Sequence, residues 1–113
     1  MVLAERLKAL GVDLVDCSSG GLHPDQAIAL RPGYQVPFAA EVRTRAAVPT
    51  GAVGLITEPD QAQAIVEGGQ ADAVLLARAS LRDASWPLRA ARELGVEVDY
   101  WPVQYERAKL RPA

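Results

Sequence analysis

Residues 48–78 read VPTGAVGLITEPDQAQAIVEGGQADAVLLAR, two apolar runs on either side of an amphipathic stretch. The first run, Gly51 to Ile56, reads as a strand. Thr57 stands where a helix N-cap belongs, Asp60 follows three residues on as a short-armed capping box, and Pro59 falls in the first turn. The helix then turns Ala62, Ile65 and Val66 inward and Gln61, Gln63 and Glu67 outward, and Gly68-Gly69 stops it. The second run, Ala73 to Ala77, is apolar without alternation, as expected of a parallel strand covered on both faces. Strand, helix, strand in this space is a βαβ unit with parallel strands.

The pattern extends in both directions. Upstream, Leu3, Leu7 and Leu10 recur at helical spacing and Gly11 closes that helix. Val12 to Cys17 reads as a strand running into the small-residue turn Ser18-Ser19-Gly20-Gly21. A loop rich in Pro and Gly follows from Leu22 to about Val36. PFAAEVRTRA then forms a helix with Phe38, Val42 and Ala46 on one face and Pro37 in its first turn. Downstream, a helix from about Trp86 to Leu94 puts Leu88, Ala91 and Leu94 on one side, and Gly95 ends it. Helix and strand thus alternate through three strands, an α/β arrangement. Periodicity is compatible with staves of a closed barrel or with a small open doubly wound sheet. Three parallel strands leave two edges that a stable protein must cover or pair.

Composition narrows the class. The 113 residues are half hydrophobic, with 12 basic and 14 acidic side chains and a net charge of −2. There is no basic stripe for nucleic acid, and no apolar run approaches the roughly 20 residues that span a bilayer. The opening MVLAERLKAL lacks the features of a secretory signal. One cysteine cannot make an internal disulfide, which fits a reducing cytoplasm. Cys17 reads as a small buried hydrophobe. His23, the sole histidine, reads as a surface residue with no neighbours at metal-ligand spacing. Glu58, Asp60 and Glu67 read as a solvated helix face rather than as acid–base pairs. No catalytic or metal-ligating residue emerges.

Five segments in order, VDLVDCSSGG (12–21), GYQVPFA (33–39), PTGAVGLITEPDQA (49–62), ADAVLLARASLRDASWPLRAA (71–91) and WPVQYERA (101–108), resemble the old yellow enzyme family, and most closely its bacterial NADPH dehydrogenase and xenobiotic reductase branch. The resemblance runs from about Gly11 to Ala108. It implies the C-terminal part of a (β/α)8 TIM barrel, with residues 1–99 supplying βα units and residues 100–113 forming a tail at a dimer interface. It also implies FMN as cofactor, NADPH as co-substrate and an electron-poor alkene or carbonyl compound as substrate. The implied partners are a second copy of the chain or the N-terminal part of the barrel, which carries the family's substrate-anchoring histidines and proton donor. A non-catalytic FMN- or phosphate-binding module, or an inactive truncated product, is the alternative expectation.

On this placement the last two strand-to-helix loops are where such barrels commonly hold a phosphate. Gly54 and Leu55 open one loop and Ala77 and Arg78 the other. Gly54 has no Cβ to keep a ligand off the backbone, and Arg78 offers a fork of donors suited to two phosphate oxygens. The family has a Gly-Arg pair where this chain has Ala77-Arg78, a change that costs about 1 kcal/mol if φ there is positive and almost nothing if it is negative. Ser19 and Gly20 are expected to line the cofactor side of the mouth. Trp101, Tyr105 and Arg107 are expected to reach another subunit, being residue types common at interface hot spots.

Overall fold

The computed structural model describes residues 2–109, so the last four positions of the expected interface tail lie outside the described residues. The elements run α1 (Val2–Ala9), β1 (Val15–Cys17), α2 (Val36–Ala46), β2 (Thr50–Ala52), α3 (Pro59–Glu67), β3 (Ala73–Val74), α4 (Arg78–Arg82) and α5 (Trp86–Glu93), followed by a 3-10 helix over Val103–Ala108. The strands form one parallel sheet in the order β1-β2-β3, with Val15 opposite Thr50 and Gly51 opposite Ala73. Adjacent parallel strands added in one direction by right-handed crossovers put successive helices on the same face. The strand order contains no reversal of the kind that defines a doubly wound sheet.

The strands are shorter than the apolar runs suggest, because apolar continuity reports burial rather than backbone conformation. Gly54 and Ile56 are buried, yet Gly54 has φ 116° and Leu55 φ 52°, so the chain leaves the extended region just after Ala52. At α3 the N-cap is Glu58 rather than Thr57, and no side chain caps it, so the Thr57–Asp60 box does not form. Val66, expected inward, is exposed. The short α4 is not signalled in the sequence, since five residues are too few to show a helical period.

The core is small and built largely of alanine. Ala39 and Ala52 have no exposed surface, and they pack in one cluster with Val36, Ile56, Ile65 and Trp86. A satellite of Ala4, Ala46 and Val48 joins α1 to α2. Alanine lets helices approach a sheet closely but contributes little apolar area per residue. Beside β1 lies an apolar groove of about 250 Å3 lined by Leu3, Leu7, Val15, Phe38 and Val42, and Leu3 and Leu10 of the first segment are 69% and 82% exposed. The radius of gyration, 16.5 Å, exceeds the roughly 13 Å of a compact domain of about 100 residues. The chain is an open layer.

The N-terminal ends of β2 and β3 are tied by Asp72. Its Oδ2 accepts the Thr50 N–H at 2.9 Å and the Arg43 Nε–H at 3.0 Å, while Arg43 also donates to the Gly69 carbonyl at 3.1 Å. The Thr50 amide, reinforced by the Arg43 guanidinium, holds the Asp72 carboxyl below the usual aspartate range. A carboxylate whose folded pKa is depressed contributes stability above its unfolded pKa, about 3.9, and loses it as pH falls through the lower folded value. Asp72→Ala should therefore lower the urea midpoint at about pH 7, and the gap from the unmodified chain should narrow below about pH 4. Parallel curves at all pH values would show that the carboxylate is not the cause.

Candidate functional site

Because all three strands are parallel, the turns after β1, β2 and β3 leave the sheet at one end. These turns carry Ser19 and Gly20, Gly54 and Leu55, and Ala77 and Arg78 respectively.

The turn after β2 is the most constrained. Gly33 N–H donates to the Gly54 carbonyl at 2.9 Å. A Cβ on Gly54 would lie 2.8 Å from Tyr34 Cε1 and 3.0 Å from Gln35 Nε2. Gln61 turns back from α3 instead of facing solvent: its Oε1 accepts the Thr57 N–H at 3.1 Å and its Nε2 donates to the Leu55 carbonyl at 3.0 Å. On the other side, Trp86 Nε1–H donates to the Thr57 carbonyl at 2.8 Å. The carbonyls of Gly54, Leu55 and Thr57 are thus all occupied from outside the turn. By contrast, the N–H groups of Gly54, Leu55 and Ile56 donate to no acceptor among the described residues. Successive backbone N–H groups around a left-handed residue make a concavity for anions. The turn thus presents three donors with no acceptor among the described residues.

At the end of β3, Ala77 has φ −102°, within reach of any L-residue, so alanine in place of glycine brings no backbone strain. Arg78 opens α4, is exposed, and forms no ion pair among the described residues. Arg89 is committed elsewhere. It bonds Asp83 at 2.7 Å and Glu93 at 2.9 Å and lies 6.0 Å from the Trp86 ring centroid.

At the end of β1, the Ser19 N–H and Oγ both meet Oε1 of Gln35, the latter at 3.2 Å, and Gln35 Nε2 reaches the Val53 carbonyl at 3.5 Å. Gly21 N–H donates to Gln26 Oε1 at 2.8 Å. Cys17 is buried at the foot of this turn. Burial first, then the neighbouring Asp16, push its thiol up, away from the thiolate a nucleophile needs. His23 is exposed beside Asp25, and no group of three metal-ligating side chains occurs among the described residues. No described helix is long and apolar enough to cross a membrane.

Six of the expected residues therefore share one end of the sheet. The other three do not join them: Trp101 is half-buried, Tyr105 and Arg107 are exposed, and no side-chain hydrogen bond links them to the strand-end turns among the described residues. Gln35, Gln61 and Trp86 shape the site without having been singled out from sequence. For Gln61 a signal existed, since glutamine at the third helical position is a residue that reaches back over a helix start.

Residues 2–97 match the NADH:flavin oxidoreductase / NADH oxidase family. Among curated relatives, the chain is 54% identical over 103 residues to an NADPH dehydrogenase of Geobacillus thermodenitrificans, covering 91% of this chain and 30% of that protein. It is 48% identical over 105 residues to an NADPH dehydrogenase of Bacillus subtilis, covering 92% and 30%. With an NADPH dehydrogenase of Halalkalibacterium halodurans it shares 47% over 110 residues, covering 97% and 32%. The chain spans about a third of the length of these relatives.

Proposed function

The chain belongs to the NADH:flavin oxidoreductase / NADH oxidase family, and we propose that its strand-end turns hold the phosphate of FMN in an NADPH dehydrogenase of the old yellow enzyme type. The observation that carries this reading is the row of N–H groups at Gly54, Leu55 and Ile56 without acceptors, in a turn whose carbonyls are bonded from behind. A phosphate supplies the oxygens such a row lacks, and Arg78 at the neighbouring strand end supplies the countercharge. The fit also depends on Gly54, whose absent Cβ leaves the backbone approachable. The strand order without reversal is that of consecutive barrel staves, and the groove beside β1 is where a further stave and its helix belong.

Bound there, FMN would supply hydride transfer between NADPH and an electron-poor alkene or carbonyl compound. The part of the chain described here binds and orients. Arg78 and the 54–56 amides anchor the phosphate, the Ser18–Gly21 turn accommodates the flat ring system, and Arg107, Tyr105 and Trp101 extend to a second subunit's site. On this reading the remaining groups of the reaction belong to the part of the relatives' length that this chain does not cover.

Titrating the chain with FMN and, separately, with riboflavin while following flavin fluorescence tests the assignment. FMN should bind more tightly by at least about tenfold, the worth of charge-assisted hydrogen bonds to a phosphate. Equal affinities would remove the phosphate from the site.

A further inference from the structure

We infer that Gln35 is the positioning residue that sets the flavin-side turn after β1 against the phosphate-side turn after β2, an assignment that rests on the FMN reading above. Gln35 is 4% exposed, one of only two polar side chains buried to this degree among the described residues. Its amide is divided between two elements. Oε1 accepts from both the N–H and the Oγ of Ser19, and Nε2 donates to the carbonyl of Val53, the residue just before Gly54. No hydrogen bond runs directly between the two turns among the described residues. The strands themselves pair only as far as Cys17 and Ala52, and beyond the ladder Gln35 is the side chain that hydrogen-bonds to both turns among the described residues. Its backbone is fixed in turn: Gly33 N–H bonds the Gly54 carbonyl, Val36 N–H bonds the Gly33 carbonyl, and α2 begins at the next residue.

A ligand that touches both turns feels their separation, whereas a ligand that touches one does not. FMN spans them, with its ring system against one and its phosphate against the other. Inorganic phosphate meets only the second. Loss of the Gln35 bridge should therefore weaken FMN far more than phosphate.

The test uses the full chain and two variants. Gln35→Leu keeps the bulk and removes both arms; FMN affinity should fall about tenfold or more, the worth of losing the two Ser19 bonds and the Val53 bond together, while inorganic phosphate, followed by amide shifts at residues 54–56, should bind as before. Gln35→Glu adds a titration. The carboxylate still accepts from Ser19 but faces the Val53 carbonyl without a donor. Once protonated it regains a donor, and burial raises the pH at which that happens. The ratio of variant to unmodified FMN affinity should then rise toward one as pH is lowered from about 8 to about 5. Unchanged FMN affinity in Gln35→Leu overturns the assignment, as does an equal loss for FMN and phosphate. If the unmodified chain takes up no FMN, the cofactor reading fails on its own. Gln35 is then judged by Ser19 exchange alone: protection lost in Gln35→Leu supports the tie between the turns, and protection retained overturns it.

Discussion

Gly54→Ala is expected to destabilise the chain by about 2–4 kcal/mol, a large effect for removing nothing and adding one methyl group. Two costs combine. At φ 116° an L-residue meets its own backbone, a strain on the order of 1–3 kcal/mol. The new Cβ would also stand 2.8 Å from Tyr34 and 3.0 Å from Gln35, and neither neighbour is free to retreat: Tyr34 is half-buried and Gln35 is bonded at both ends of its amide. Overpacking of this kind costs about 1–3 kcal/mol. Gly21→Ala separates the two contributions, because Gly21 has φ 81° with nothing within 4 Å of its missing Cβ. That variant should lose only the backbone share, about 1 kcal/mol. Urea unfolding measures both, and equal losses at the two positions would show that contact with Tyr34 and Gln35 contributes nothing.

Arg78→Ala is expected to lower FMN affinity by about ten- to a hundredfold while leaving the fold intact. A hydrogen bond to a charged group is worth about 1.5–3 kcal/mol net, and a guanidinium meeting a phosphate makes up to two at once. The arginine has no ion pair to lose among the described residues and lies on the surface, so its removal should leave the urea midpoint within about 0.5 kcal/mol. Arg78→Lys should recover part of the affinity, because lysine restores charge but not the planar fork. Riboflavin binding should be indifferent to all three side chains. If FMN affinity survives Arg78→Ala, the countercharge at this site comes from elsewhere.

The sequence made the order of elements legible because two periods alternate in it, and Pro37, Gly11 and Gly68-Gly69 mark boundaries that the structure keeps to within a residue or two. It was less informative about where strands stop. Residues 53–56 are as apolar as a strand interior, and only the φ values of Gly54 and Leu55 reveal a turn. Leu55 is the instructive case: a left-handed leucine is uncommon, and nothing in its side chain announces it. The candidate site was visible where it depended on residue type, as at Arg78 and the glycines. It was not visible where it depended on long-range hydrogen bonds. Gln35 sits 16 residues from Ser19 and 18 from Val53, and Trp86 sits 29 from Thr57. No local pattern encodes such distances.

Asp72 gives the sheet a division of labour. The knot of Asp72, Thr50 and Arg43 sits where β2 and β3 begin, and the turns proposed to take the phosphate sit where they end. Substitutions that retune resistance to acid or heat at the first pole are expected to leave the proposed phosphate contacts at the second untouched. On that reading the same sheet can be adapted to harsher surroundings without renegotiating what it is proposed to grip.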